Sequence, residues 1–163
     1  MSLLVRKINR AKWLQNDIVR GDDISADAIT NCIKTINNTL STWRIDTEAQ
    51  VDEAVLAIVS GGQHVDTIDV VWMSQNQLEA EGISIQNTPG VTPIADWVER
   101  HVDVVGLTYK SLGKVAHCIV KCFSENSVRR YTRVMLIKLL RDAIDSRRLS
   151  VEKLDTSVAD ELR

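Results

Sequence analysis

Three residues of metal-ligating type stand close together in the C-terminal part of the chain: His117, Cys118 and Cys122. Structural zinc takes four ligands, and its cysteines usually come as Cys-x₂-Cys. On a helix, rotation by about 100° per residue puts Cys118 at about 240° and Cys122 at about 280° from Leu112, with His117 at about 140°. Such a helix presents two ligands on one side. No spacing recruits His64 or His101 to complete a shell. The pattern therefore predicts cysteines bordering an apolar stripe, with no metal or cofactor site.

Nucleophilic chemistry needs a thiol or hydroxyl activated by a nearby base. Cys32 falls on an apolar helical stripe, which predicts an inert core thiol. Cys118 lies beside His117 and near Lys121 in sequence, but adjacent helical positions diverge. His101 sits among Ile94, Trp97, Val98, Val102 and Val105, the setting of a hydrogen-bonded core histidine. Gly61-Gly62-Gln63 resembles the tripeptide that peptide-release factors use, but its neighbours Val59, Ser60, His64, Val65 and Asp66 lack that family's basic flanks. A helix-ending role for Gly61 accounts for the first glycine. The pairs Asp66/Asp69 and Asp22/Asp23 have no Glu-x-Lys partner of a nuclease core, and Asp66 and Asp69 have opposite strand parity. Phosphate-binding, dinucleotide-binding and hydrolase-elbow motifs do not occur. No catalytic residue is assigned from the sequence.

Charge is the more informative pattern. The 163 residues carry a formal net charge of −2, which hides a segregation. Residues 1–104 hold 8 Lys and Arg against 15 Asp and Glu, residues 105–150 hold 10 against 3, and residues 151–163 hold 2 against 4. The basic stretch contains Arg129, Arg130, Arg133, Lys138, Arg141, Arg147 and Arg148. Arg129, Arg130 and Arg133 should precede or open a helix on which Arg130, Lys138, Arg141 and Arg148 share nearly one side. These seven residues are the candidate binding surface, for phosphates of nucleic acid or for an acidic protein. Tyr131 is the lone aromatic among them, so base stacking has little support. Lys138–Asp142 and Arg141–Asp145 also suit an ordinary solvated helix face. Attraction between two parts of one fold would produce the same segregation. A helix-turn-helix over 132–162 would put Glu152, Asp155, Asp160 and Glu161 on its second helix, which disfavours major-groove reading.

The elements that would position these residues follow from periodicity and caps. Leu3 to Ile8 reads as a strand. Asn9 would cap a short helix carrying Trp13, Leu14 and Ile18, and Asp22-Asp23 marks a break. Ser25 is an N-cap, with Ile24 and Ile29 as a hydrophobic staple. Ile29, Cys32, Ile33 and Ile36 continue that helix to Asn37-Asn38. Thr39 to Ile45 reads as a strand. Thr47 and Gln50 form a capping box for a helix carrying Val51, Ala54, Val55, Ile58 and Val59, with Gly61 in the left-handed position at its end. Thr67 to Met73 is a strand covered on both faces. Ser74 to Gly82 reads as a short helix, Ile83 to Gln86 as a short strand, and Thr88-Pro89-Gly90 as a turn. Thr92-Pro93 should open a helix running through Val105. Helices carrying Leu112 to Phe123, then Thr132 to Ser146, and a last one capped by Ser150 complete the chain.

The expected class is α+β: a small mixed, partly parallel sheet with helices in the N-terminal half and a helical C-terminal half. One domain over 1–163 is the simplest organisation; the alternative divides it near 88–91, into an α/β part and a helical part. A composition of 44% hydrophobic and 26% charged residues excludes disordered and collagenous classes. Three cysteines, no apolar leader and a longest apolar run of Ala54 to Val59 point to a soluble, cytoplasmic protein that does not cross a membrane. A non-enzymatic interaction or adaptor subunit, binding a partner protein or itself, is the leading expectation. Nucleic-acid binding through 129–148 is the alternative. An enzyme whose site assembles from residues distant in sequence is the third reading.

Overall fold

The computed structural model describes residues 2–14, 23–33 and 35–162. Thirteen labelled elements locate the site. They are β1 (Leu3–Ile8), α1 (Arg10–Trp13), α2 (Ala26–Cys32), β2 (Leu40–Ile45), α3 (Val51–Ser60), β3 (Ile68–Ser74), α4 (Gln75–Ala80), β4 (Ser84–Asn87), β5 (His101–Val105), α5 (Tyr109–Ser124), β6 (Val128–Tyr131) and α6 (Arg133–Asp145); α7 (Thr156–Glu161) follows at the C-terminal end. The six strands form one sheet in the order β4-β5-β2-β1-β3-β6. The class is α+β, as the sequence indicates.

Strand alternation divides the core between the two sheet faces. Val5, Trp43, Ile45, Ile68, Val70, Trp72 and Tyr131 join Val55, Leu136, Leu140 and Val158 in one cluster, under α3, α6 and α7. Leu4, Leu40, Val71, Met73, Val102 and Val104 join Ala28, Cys32, Leu78, Val115 and Ile119 in the other, under α2, α4 and α5. Every residue of β3 is buried, as its continuous apolar run predicts.

The sheet is not partly parallel: every strand pairing is antiparallel. The rhythm β2–α3–β3 does run both strands in one direction, as a crossover unit should. However, β1 lies between them and is antiparallel to both. The N-terminal strand has split the unit, and no local pattern carries that insertion.

The expected helix from Thr92 to Val105 is instead a 3₁₀ turn over Ala95–Arg100 followed by β5. His101-Val102-Asp103-Val104-Val105 alternates with β-branched residues, which favour a pleated surface. Val102 and Val104 enter the second core while His101 and Asp103 project from the other face. The second half, mostly helical, thus contributes two strands.

Other boundaries differ for local reasons. α2 starts at the Ser25 cap, whose hydroxyl accepts from the Ala28 amide, but ends at Cys32. Ile36 pairs with Thr39 across Asn37 and Asn38, both left-handed, in a tight turn that leads into β2. The Thr47 side chain makes no cap bond; the Asp46 amide donates to the Gln50 side-chain oxygen Oε1 at 2.7 Å instead. Gly61 has φ −87°, so it is not left-handed. A Cβ there would lie 2.3 Å from the Val91 carbonyl oxygen, so close approach of two backbones is its constraint. Thr108, overlooked in the sequence, closes a full capping box with Ser111 on α5. The final helix expected from a Ser150 cap is instead a 3₁₀ turn over Val151–Lys153, where Ser150 makes no side-chain cap bond, and α7 follows from an Asp155 cap. Ile18 and Asp22 lie outside the described residues.

Leu140 is fully buried where α6 meets the sheet. Leu140→Ala should lower unfolding stability by about 2–5 kcal/mol, the range for a buried leucine truncated in a rigid core. Urea unfolding with an unchanged m-value measures it; a loss below about 1 kcal/mol would contradict this packing.

Candidate functional site

The seven basic residues do not share one helix face. Arg129 and Arg130 are neighbours on β6, so they point to opposite sides of the sheet. Arg129 donates to Asp52 at 3.0 Å and to the Tyr131 hydroxyl at 3.1 Å, and its guanidinium lies over Trp72. The Tyr131 hydroxyl donates to the same Asp52 oxygen. Burial pulls the Arg129 guanidinium down, but Tyr131 and Asp52 outweigh it and raise its pKa. Arg148 holds Glu53 at 2.7 Å and Asp96 at 3.3 Å, and Glu53 is the main reason its pKa is raised. Arg133 forks onto one Glu161 oxygen at 2.8 and 3.0 Å, and Arg141 donates to the Leu162 carbonyl.

The segregated charges therefore meet within the fold. Acids take three of the seven candidates, Arg129, Arg133 and Arg148, and a backbone carbonyl of the tail takes Arg141. Arg130, Lys138, Arg141 and Arg147 make no ion pair among the described residues, and all four are exposed. Phosphate affinity scales with the number of phosphates neutralised, with a salt slope of about −0.9 per contact. Four such cations set a ceiling of about −4 on the slope this surface can give. Anisotropy of labelled duplex DNA titrated with the protein across 50–200 mM salt should stay within it; a steeper slope would mean that the internal pairs open on binding.

A groove of about 870 Å³ runs along α5. Leu14, Ala80, Val120 and Phe123 give it apolar walls, while Arg10, Lys114, Lys121 and Glu81 supply charges. Lys114 bridges to α4 through the Glu81 carbonyl and carboxylate. His117 also lines it, with Nδ1 within 2.8 Å of the Gly113 carbonyl, one turn back on its own helix. Cys118 reaches the groove but is buried.

The thiols are poor nucleophiles here. All three cysteines are buried. Burial, then the Glu125 charge, pushes Cys122 up to about 12. Burial likewise raises Cys118, helped by Glu81. Among the described residues no three His, Cys, Asp or Glu side chains gather as a metal site. Asp69 is buried in β3, whereas Asp66 is exposed in the loop before it.

A folded thiol raised above its unfolded value near 8.5 stabilises the fold fully below that value. The contribution falls as pH climbs toward 12. Stability should therefore decline above about pH 9, by up to about 1.4 kcal/mol per unit for each such thiol. Thermal melts from pH 8 to 10.5 check it: Cys122→Ala should flatten the decline, and an unchanged slope would contradict the assigned burial effect.

A second, smaller pocket of about 350 Å³ lies over the β2–β5 pair. Its walls are Trp43, Ala57, Ile58, Pro89 and Val91, and it contains Ser41 and His101. The register explains their meeting. Ser41 is opposite Asp103, and Trp43 is opposite His101, so all four side chains share one face. Thr88 continues the β4 ladder beside His101, its amide donating to the His101 carbonyl at 3.4 Å.

His101 Nε2 is 2.5 Å from Ser41 Oγ, and Nδ1 is 2.9 Å from Thr88 Oγ1 and 3.1 Å from the Thr88 carbonyl. The Thr88 hydroxyl donates to Asp103 at 2.9 Å. A hydroxyl has one proton, so Thr88 Oγ1 must accept from Nδ1–H. The carbonyl at Nδ1 demands the same. Whenever the ring carries a single proton, Nε2 is then bare and Ser41 donates to it.

His101 packs edge-on against Trp43, with ring centroids 5.0 Å apart. Gly90 lets the 88–91 segment lie over both, since a Cβ there would be 2.5 Å from Trp43 and 2.7 Å from the His101 Cβ. Ser41, Thr88 and Asp103 were not legible as partners in the sequence, because helical spacing set His101 on a helix. Alternation of the 101–105 run was the signal that could have found them. Comparison with protein families, characterised proteins and solved structures finds no match, so the functional reading rests on this geometry.

Proposed function

We propose that the protein is an interaction subunit that receives an amphipathic, net-acidic segment of a partner protein in the groove along α5. The groove itself carries this reading. Among the described residues it combines apolar walls with Arg10, Lys114 and Lys121 against one acid, Glu81, a pattern complementary to apolar anchors flanked by carboxylates. α5 is a 16-residue helix, long enough to line a bound segment over four turns.

The nucleic-acid reading loses support where the acids of α3 and the tail hold Arg129, Arg133 and Arg148. Among the described residues no helix is long and apolar enough to cross a membrane. Three buried free thiols fit a reducing compartment such as the cytoplasm.

A photo-cross-linking residue in place of Ser124, on the groove wall, tests the proposal in cells of the native host. One discrete protein adduct is expected, with cross-linked peptides rich in Asp, Glu and apolar residues. Adding Lys121→Glu should reduce its yield about tenfold, the effect of about 1.4 kcal/mol. No adduct, or an adduct indifferent to Lys121→Glu, would overturn it. A cross-link to a second copy of this chain would assign the groove to self-association instead of a separate partner.

A further inference from the structure

We propose that Ser41 and His101 form a nucleophile–base pair that cleaves esters of small apolar acids in the pocket over β2 and β5. Three independent features carry it. The first is the proton order along the chain Ser41–His101–Thr88–Asp103. Ser41 donates to Nε2, and Nδ1–H is held by the Thr88 hydroxyl and carbonyl, with Asp103 orienting that hydroxyl. This is the tautomer a histidine needs to remove a hydroxyl proton, and hydrolytic triads are recognised by such roles rather than by chain order. The second is access. Ser41 is exposed, whereas His101 is buried behind it, so a substrate meets the nucleophile first. The third is the pocket, an open hollow of about 350 Å³ bordered by Trp43, Ala57, Ile58, Pro89 and Val91, with room for a short acyl chain beside Ser41.

The reaction balances with water as the only co-reactant. Ser41 Oγ bonds to the ester carbonyl carbon while its proton passes to His101 Nε2. The bond from that carbon to the alcohol oxygen breaks, and the departing alcohol takes the proton from Nε2. Water then adds to the acyl carbon, giving a proton to Nε2. The bond to Ser41 Oγ breaks, and Oγ recovers that proton. The products are a carboxylic acid and an alcohol. Ser41 and His101 are the catalytic residues. Thr88 and Asp103 are positioning residues that keep the proton on Nδ1.

Arg6, on β1, supports the strand under the nucleophile by donating to the Ser41 carbonyl at 2.7 Å. Gly90 leaves His101 the room it occupies, as the contacts a Cβ would make there show.

The pair is tested directly with diisopropyl fluorophosphate, in which attack by Ser41 Oγ forms a P–O bond and expels fluoride. Tandem mass spectrometry should place the adduct on Ser41, and Ser41→Ala should remove it. His101→Gln should slow labelling at least about 100-fold, the lower end of a general-base effect. Where His101→Gln does not fold by circular dichroism, Asp103→Leu replaces it. The expected result is slower labelling together with loss of the Nδ1-protonated signature of His101 in two-bond ¹H–¹⁵N spectra, which a purely structural change would not select. On p-nitrophenyl esters, acetate and butyrate should be turned over in preference to decanoate, with the activity lost in Ser41→Ala. Absence of the adduct, an adduct elsewhere, or wild-type labelling of Ser41 in the folded base or positioning variant would overturn the proposal.

Discussion

Strand β1 is the constraint on which the other elements depend. It pairs antiparallel with β2 on one side and β3 on the other. Leu4 and Val5 point to opposite faces, and both are fully buried. Each therefore belongs to a different core, so six residues of strand tie both layers of helices to one sheet. Without β1 between them, β2 and β3 would be free to pair directly as a parallel unit. Its insertion shifts β3 outward to meet β6, and leaves the other side of β2 to receive β5.

That displacement has consequences for charge and for chemistry. Pairing β6 with β3 brings Arg129 and Tyr131 over the start of α3, where Asp52 accepts from both. Pairing β5 with β2 brings His101 beside Ser41 across a sequence separation of 60 residues. Exposed ion pairs are worth little individually, about 0–1 kcal/mol each. Their value here is registration: Arg129 and Arg148 join the C-terminal part to α3, and Arg133 holds the tail to α6. The hydrophobic contacts of Leu136, Leu140 and Val158 with the sheet supply the larger share of stability.

The two pockets lie on opposite sheet faces and differ in character. The groove along α5 belongs to the face of α2, α4 and α5 and carries apolar walls with a basic bias. The pocket over β2 and β5 lies on the α3 face and is roofed by the backbone of 88–91, which Gly90 and Gly61 allow to approach. The proposed binding surface and the proposed reactive pair can occupy one small fold because the sheet separates them.

The sequence by itself determined the α+β class, the starts of α2 and α6, the doubly buried β3 and the inward faces of the long helices. Those features are local: caps act within one turn, and apolar periodicity reports which side of an element faces a core. It also showed that the charges were segregated, though not that they would meet each other. Only the tertiary structure decided the strand order, the fate of Arg129, Arg133 and Arg148, and the company of His101. The apolar positions of 94–105 fit a helical spacing as well as a turn followed by a strand, and pairing with Leu40–Trp43 resolved that choice. Ladder bonds and ion pairs between residues tens of positions apart leave no mark in either segment alone. For that reason Ser41 looked like any strand serine until β5 was set beside it.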